Sequence, residues 1–454
     1  MPQKVNMPER DPQIRRRDFE QVNAGYSKEE MLAEAKRCLQ CKNPMCAKGC
    51  PVEINIPGFI KHLVKDNPSE AIKVLKQKTN LPAVCGRVCP QENQCEKSCI
   101  LSKKDEAVSI GNLERYAADA TVNIEDNISI KKNGVKVAVV GSGPAGLTCG
   151  GDLLKLGYNV TVYESLHDTG GVLRYGIPEF RLPKKVLNVE IEKLKKLGMK
   201  IVLNILIGRT KNIKDLFDEG FKAIFVAVGS GLPIFPRIPG ENLNHIYCSN
   251  EFLARVNLMR AFDFPNYDTP VRSGKNIVVV GGGNTAMDSA RTAVRLGANR
   301  VKLVYRRSEA EMPARLEERR HAKEEGVEFI TLTKLVRFIG DDNKAVKAVE
   351  CVKMQLGEPD ESGRSSPREI AGSKYMIDAD MVVLALGVRP NPILPSLTKG
   401  LNINSHGHIV IDENHMTSIP GIFAGGDIVG GDTVISAMGM GKKAAKAIDN
   451  YLKK

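Results

Sequence analysis

Eight of the eleven cysteines fall between Cys38 and Cys99, in two runs whose spacing suits metal ligation better than disulfides. The first run is Cys38-x2-Cys41-x4-Cys46-x3-Cys50-Pro51, and the second is Cys85-x3-Cys89-Pro90-x4-Cys95-x3-Cys99. Iron favours soft thiolate ligands and a [4Fe-4S] cubane takes four ligands, so eight cysteines match two clusters by count. Zinc competes, but paired zinc sites favour CxxC knuckles separated by hairpins and commonly include histidine. A cysteine just before proline, as at Cys50 and Cys89, is the ferredoxin-like habit in which ligands cross between clusters. On count alone Cys85 joins the second set, because thiolate binds iron better than carboxylate.

Two glycine loops carry the other chemistry. Gly141-Ser142-Gly143-Pro144-Ala145-Gly146 follows the apolar stretch VKVAVV and opens a helical pattern that reaches Leu156, before a second strand NVTVYE. Glycines so spaced make the tight turn, admit a pyrophosphate to backbone N–H groups and let helix pack on strand; Glu164, ending the second strand, suits a ribose diol. The plan repeats where NIVVV runs into Gly281-Gly282-Gly283-Asn284-Thr285-Ala286 and then VKLVYRR. There Arg306 and Arg307 stand where an acid would mark NAD, and two guanidinium groups would neutralise the 2′-phosphate of NADP(H).

The elements around these loops must hold extended cofactors. GGVLRYGIPEFRLP, residues 170–183, has few bulky groups and offers Gly171, Val172, Leu173 and Arg181 to a long ligand. Each fold is followed by an apolar strand ending in glycine, at Gly229 and Gly387. Gly425-Gly426-Asp427 closes a late strand, where Asp427 can accept from a polyol. Thr433, Val434 and Ala437 then open a helix whose N-terminus would face an electron-rich ring. Short helices, over 27–37 and 68–77, surround the cysteines, with Ser27 and Glu30 as a capping box. Residues 309–325 read as a charge-rich helix with a solvated face, and 357–374 as a polar loop or hairpin tip without chemistry.

Composition sets the limits. The 454 residues are 42% hydrophobic and 26% charged, enough for about three domains of an ordinary globular protein. The net charge of +13 is spread through helical stretches, tryptophan is absent and aromatics are 5%, so nucleic-acid binding is not expected. A charged opening segment and the lack of any long apolar run predict a cytoplasmic chain without a membrane span.

From residue 135 onward the chain resembles the two-dinucleotide-fold flavoprotein reductases of the glutathione-reductase type. That likeness implies FAD on the first loop and the GGD stretch, with NADPH on the inserted second fold. LPAVCGRVCPQENQCEKSC (81–99), IGNLERY (110–116) and YGIPEFRLPK (175–184) extend it. On these the whole chain resembles the NADPH-dependent glutamate synthase small chain family. That group includes the large subunit of NADH-dependent reduced ferredoxin:NADP oxidoreductase and the amino-terminal half of dihydropyrimidine dehydrogenase.

The resemblance implies an α/β architecture. A helical domain with two [4Fe-4S] clusters spans 1–130, a discontinuous FAD domain 131–250 and 395–454, and an NADP domain 251–394. It places one cluster on Cys38, Cys41, Cys46 and Cys99. The other falls on Cys50, Cys89, Cys95 and the non-cysteine ligand Glu114, which leaves Cys85 out, so count and resemblance disagree over the eighth ligand. The implied chemistry is hydride transfer between nicotinamide and flavin with a one-electron relay through the clusters, which needs no side-chain acid or base. A second subunit is expected in a hetero-oligomer. It is either a large glutamate synthase chain, or a flavin and [2Fe-2S] subunit using NADH while the FAD here divides electrons between ferredoxin and NADP.

Overall fold

The computed structural model describes residues 3–124, 130–360 and 363–453. Short helices build the amino-terminal region, several of them started by a polar cap. Ser27 Oγ accepts from the Glu30 N–H and the Glu30 carboxylate accepts from the Ser27 N–H, so the expected capping box opens Lys28–Ala35. Asn55 Oδ1 and Asn67 Oδ1 cap Ile56–Val64 and Pro68–Lys76 by accepting from the Gly58 and Glu70 N–H groups, each helix with a proline in the first turn. Their apolar faces meet Pro82–Val88 and Ile110–Asp119 around Phe59, Ile60, Leu63, Leu75 and Leu113, all fully buried. Burial of each such side chain contributes roughly 1.5–3 kcal/mol, which fixes a helical frame between whose ends most of the cysteines fall.

Two five-stranded parallel sheets follow. The first runs Ile422–Ala424, Ala223–Val226, Lys136–Val140, Asn159–Tyr163, Lys200–Val202. The second runs Ile246–Cys248, Met381–Leu384, Asn276–Val280, Arg300–Val304, Glu328–Ile330. The central strands are apolar throughout, as sheets covered on both faces require. Because Ile246–Cys248 pairs with Met381–Leu384, the second fold begins ahead of the boundary expected after residue 250. An antiparallel ribbon of Ser230–Pro233 and Val388–Pro390 joins the two units.

A three-stranded antiparallel sheet of Thr333–Gly340, Val346–Pro359 and Ser365–Asp378 packs beside the second fold. The span 357–374 is therefore the end of a long hairpin; its residues 361 and 362 lie outside the described residues. Among the described residues no helix is long and apolar enough to cross a membrane.

The charge-rich stretch 309–325 departs from expectation. Its helix, Leu316–Glu324, buries Glu318 and His321, and Glu325 just beyond is fully buried. The partners come from remote segments, which periodicity within the helix does not reveal. Arg15 Nε, Arg291 Nη2 and Arg295 Nη1 donate to Glu325 at 3.0, 2.8 and 2.6 Å, and Arg291 also bonds Glu318. Burial alone would raise the Glu318 carboxyl, but the Arg181 and Arg291 guanidinium groups outweigh it and hold it lowered to about 2. The helix is thus an ionic junction, pinning the amino-terminal segment to the second fold.

Candidate functional site

One cleft of about 1340 Å³ contains both glycine loops. At its first end Gly141 turns with φ +104°, and Gly143 presents a face with nothing within 4 Å of where a Cβ would stand. Helix Pro144–Lys155 starts at Gly143 without a side-chain cap, which leaves its first N–H groups facing the cleft beside Pro144 and Ala145. Such a terminus is a ready anion site. Helix Asn284–Arg295 begins identically behind Gly281, Gly282 and Gly283, where the nearest atom to a Cβ on Gly283 would be Pro313 Cγ at 3.9 Å; Asn284 and Thr285 line the cleft there.

Four expected contacts lie behind the wall instead of on it. Ser142, Gly146, Leu173 and Ala286 are buried and do not line the cleft. Ser142 works as a brace: its N–H and hydroxyl donate to Glu164 Oε2 at 2.9 and 2.6 Å, and its oxygen accepts from the Gly170 N–H at 3.0 Å. Gly146 allows helix and loop to touch, since a Cβ there would lie 2.0 Å from the Gly141 carbonyl oxygen. Glu164 itself reaches the cleft, with Oε1 fixed by the Leu166 N–H at 2.9 Å.

Gly171, Val172, Gly229, Gly426 and Asp427 complete the first end, and Gly387 lies on the same cleft. Burial, reinforced by Asp432, pushes the Asp427 carboxyl up to about 6. Helix Val434–Leu452, capped by Thr433, turns Thr433, Val434 and Ala437 toward the cleft. Tyr175 also lines it, a residue sequence reasoning passed over inside the glycine-proline stretch. Burial pushes its phenol up to about 12.

The three arginines part company. Arg306 is exposed on the cleft wall. Arg307 touches the cleft but is 4% exposed; its Nε donates to the Ser365 carbonyl at 2.8 Å and its Nη2 bonds Asp360. Its guanidinium is committed to the hairpin, so the stretch expected to carry no chemistry shapes the cleft and brings Arg364 to it. Arg181 borders the cleft, yet its Nη1 donates to both Asp288 oxygens at 2.8 and 2.7 Å, and Nε lies 2.9 Å from Glu318 without hydrogen-bond alignment. It bolts the first fold to the second.

The cysteines sort into two neighbourhoods. Cys46 is pushed up to about 11 by burial and then by Cys99, Cys38 and Cys41; Cys38 is raised by burial, with Cys99 and Cys41 again nearby. Cys50 is pushed up to about 11 by burial, with Glu114 and Cys85 close, and burial raises Cys95 beside Cys50 and Glu114. A hydrogen bond with Cys85, then burial, then Glu114 and Cys95, raises Cys89. Thiols packed this way need a bound cation to hold them as thiolates, so the set fits metal clusters. Glu114 is buried with Oε1 lacking any hydrogen-bond partner among the described residues; burial, then Cys85 and Glu190, raise its carboxyl well above the usual range.

Val88 and Pro90, on either side of Cys89, line the nucleotide cleft, whereas Cys38, Cys41 and Cys46 are half-buried next to the exposed Leu39 and Met45. The second neighbourhood thus adjoins the cleft and the first lies toward the surface. Elsewhere Glu9, Glu317 and His321 converge to within 4.8 Å, but Arg15, Arg320 and Arg315 already pair with both carboxylates, which marks an ion web.

Two dinucleotide folds sharing one cleft, with a cysteine domain at its side, define a flavoprotein reductase of the pyridine nucleotide class. Residues 135–446 match the pyridine nucleotide-disulphide oxidoreductase family, and residues 15–126 match dihydropyrimidine dehydrogenase domain II, 4Fe-4S cluster. Within that class the chain belongs to the family of the NADPH glutamate synthase small chains. It is 38% identical over 461 residues to the glutamate synthase [NADPH] small chain of Escherichia coli (strain K12), covering 99% of this chain and 97% of the relative. It is 36% identical over 435 residues to the NADP(+)-dependent formate dehydrogenase subunit beta of Moorella thermoacetica, covering 90% of this chain and 60% of that one. Mycobacterium tuberculosis FprA in complex with NADPH shares the fold, with a TM-score of 0.58 at 19% identity over 71% of this chain and 85% of that chain. The chain is an NADP-dependent flavin and iron–sulfur oxidoreductase.

Proposed function

We propose that this chain is the NADPH-oxidising subunit of a glutamate synthase, feeding electrons to a large partner chain that reduces the imine formed from 2-oxoglutarate and glutamine-derived ammonia. The observation that carries the electron-transfer reading is the placement of Val88 and Pro90 on the cleft wall while Cys38, Cys41 and Cys46 approach the surface. When bound, the nicotinamide supplies hydride to the flavin, and the clusters supply a one-electron path outward.

The chain's own residues bind and orient. Gly141, Gly143 and the open start of Pro144–Lys155 receive the FAD pyrophosphate, Glu164 holds its ribose, and Asp427 faces the polyol chain. Gly281, Gly283 and the start of Asn284–Arg295 receive NADP(H), with Arg306 toward the 2′-phosphate. No side chain acts as acid or base, and none is named catalytic. Cys38, Cys41, Cys46 and Cys99 hold one cluster; Cys50, Cys89 and Cys95 hold the other with Glu114, whose Oε1 has no hydrogen-bond partner among the described residues, which supports it over Cys85. The full-length match to chains named as small subunits supports a hetero-oligomer.

The test is to identify the subunit that co-purifies anaerobically and to assay NADPH oxidation with glutamine plus 2-oxoglutarate. Turnover that needs both substrates is expected. Turnover only with NADH plus ferredoxin would replace this partner with a flavin and [2Fe-2S] subunit.

A further inference from the structure

We propose that Arg315 is a positioning residue for the electron path: it clamps the turn around Cys89 to the nucleotide loop of the second fold, and so holds the second cluster against the cleft wall. The inference rests on the assignment of Cys50, Cys89 and Cys95 to the cluster beside the cleft.

One end of the clamp is the second glycine loop. The segment leading into helix Leu316–Glu324 lies along it, with the Ala314 N–H donating to the Gly282 carbonyl at 3.1 Å and the Arg315 N–H donating to Asn284 Oδ1 at 3.0 Å. Gly282, Asn284 and Pro313 all line the cleft. Both donors are backbone groups, so this end survives a change of the Arg315 side chain.

The other end is the cysteine domain. The buried Arg315 side chain leaves the second fold and takes hold of the turn on both sides of Cys89. Its Nη1 donates to the Arg87 carbonyl at 3.2 Å, two residues before Cys89, and its Nη2 donates to Gln91 Oε1 at 2.9 Å, two residues after it. Glu92 and Glu317, at 3.4 and 3.2 Å, balance the guanidinium charge. Gln91 passes the hold inward: its Nε2 donates to the Cys85 carbonyl at 3.2 Å, and a Cβ on Gly111 would stand 2.3 Å from that nitrogen. Gly111 lies in the first turn of Ile110–Asp119, the helix that carries Glu114. Val88 and Pro90, inside the gripped turn, are the residues that reach the cleft. A planar fork of donors can serve these acceptors at once, which a lysine ammonium does not match.

The full chain, wild type and with Arg315→Met or Arg315→Lys, is purified anaerobically and assayed for flavin and iron, for 2′,5′-ADP binding by calorimetry, and for flavin bleaching and cluster EPR after rapid mixing with NADPH. In Arg315→Met, 2′,5′-ADP affinity and the rate of flavin bleaching should stay within about twofold, because the backbone still holds Asn284. One of the two cluster signals should change shape, and its appearance should slow by roughly 10- to 100-fold, as a displacement of about 1 Å can produce. Loss of about four iron per chain with flavin retained would support the clamp equally. Arg315→Lys should recover only part of the effect. An unchanged cluster spectrum and rate in Arg315→Met, or joint loss of flavin, nucleotide binding and both clusters in both variants, overturns the role of Arg315. A wild-type chain without iron would instead overturn the cluster reading on which the inference rests.

Discussion

Glu114 Oε1 is buried beside Cys85 with no hydrogen-bond partner among the described residues, and the Cys85 Sγ lies 3.5 Å from Thr79 Oγ1 and 3.8 Å from Met438 Sδ. A buried carboxylate oxygen without a donor costs about 1–3 kcal/mol or more, a cost that a metal bond would remove. Cys85→Ala should keep roughly eight iron atoms per chain, the content of two cubanes, whereas Glu114→Ala should lose or alter one cluster by iron assay and EPR. Loss of iron in Cys85→Ala with retention in Glu114→Ala would make Cys85 the ligand.

The bare face of Gly143 is where the first loop can approach a phosphate. Gly143→Val fills that space, so the chain should purify without flavin absorbance but with its iron and far-UV dichroism unchanged. Retained flavin would mean that the pyrophosphate lies elsewhere.

Arg181 and Asp288, both buried, link the two folds. Arg181→Met strands the Asp288 carboxylate and should lower stability by about 3–5 kcal/mol in denaturant unfolding, with flavin content unchanged in the folded protein. Loss of flavin without loss of stability would restore Arg181 as a cofactor contact.

Burial alone would raise the Glu9 carboxyl, but hydrogen bonds involving His321 and Arg320 outweigh it and leave it lowered to about 2 from the ordinary 4.5. A depressed carboxyl stabilises the fold above its unfolded pKa, and that contribution is lost as pH falls from about 4.5 toward about 2. Limited proteolysis across this range should release the amino-terminal segment as pH falls, and Glu9→Gln should flatten the dependence. An unchanged profile in the variant would remove Glu9 from the junction.

Both nucleotide folds were legible because their signal is local: an apolar strand, glycines at fixed offsets, then a helix. The backbone must follow that pattern wherever it occurs in a parallel sheet. The cysteine spacing was legible for the same reason; the fold gathers Cys38, Cys41, Cys46 and Cys99 on one side and Cys50, Cys89 and Cys95 with Glu114 and Cys85 on the other. What the chain hid depends on contacts distant in sequence. Glu325 finds Arg15 and Arg291, and Arg307 turns to Asp360, so a helix that reads as solvated is buried and an arginine that reads as a ligand contact grips a hairpin. Ser142 and Leu173 sit within the glycine-rich stretches yet are buried away from the cleft, because a motif fixes the loop and not every side chain on it.

The central claim is that electrons enter at the nicotinamide end of the cleft and leave through the cysteine domain. An anaerobic titration of the isolated chain with NADPH, followed by flavin absorbance and low-temperature EPR, tests it most directly. The account predicts flavin bleaching with appearance of at least one reduced-cluster signal, and a response to NADH weaker by at least about tenfold because the 2′-phosphate contacts are missing. Full bleaching with no cluster signal even at excess NADPH, or equal response to NADH, would contradict it.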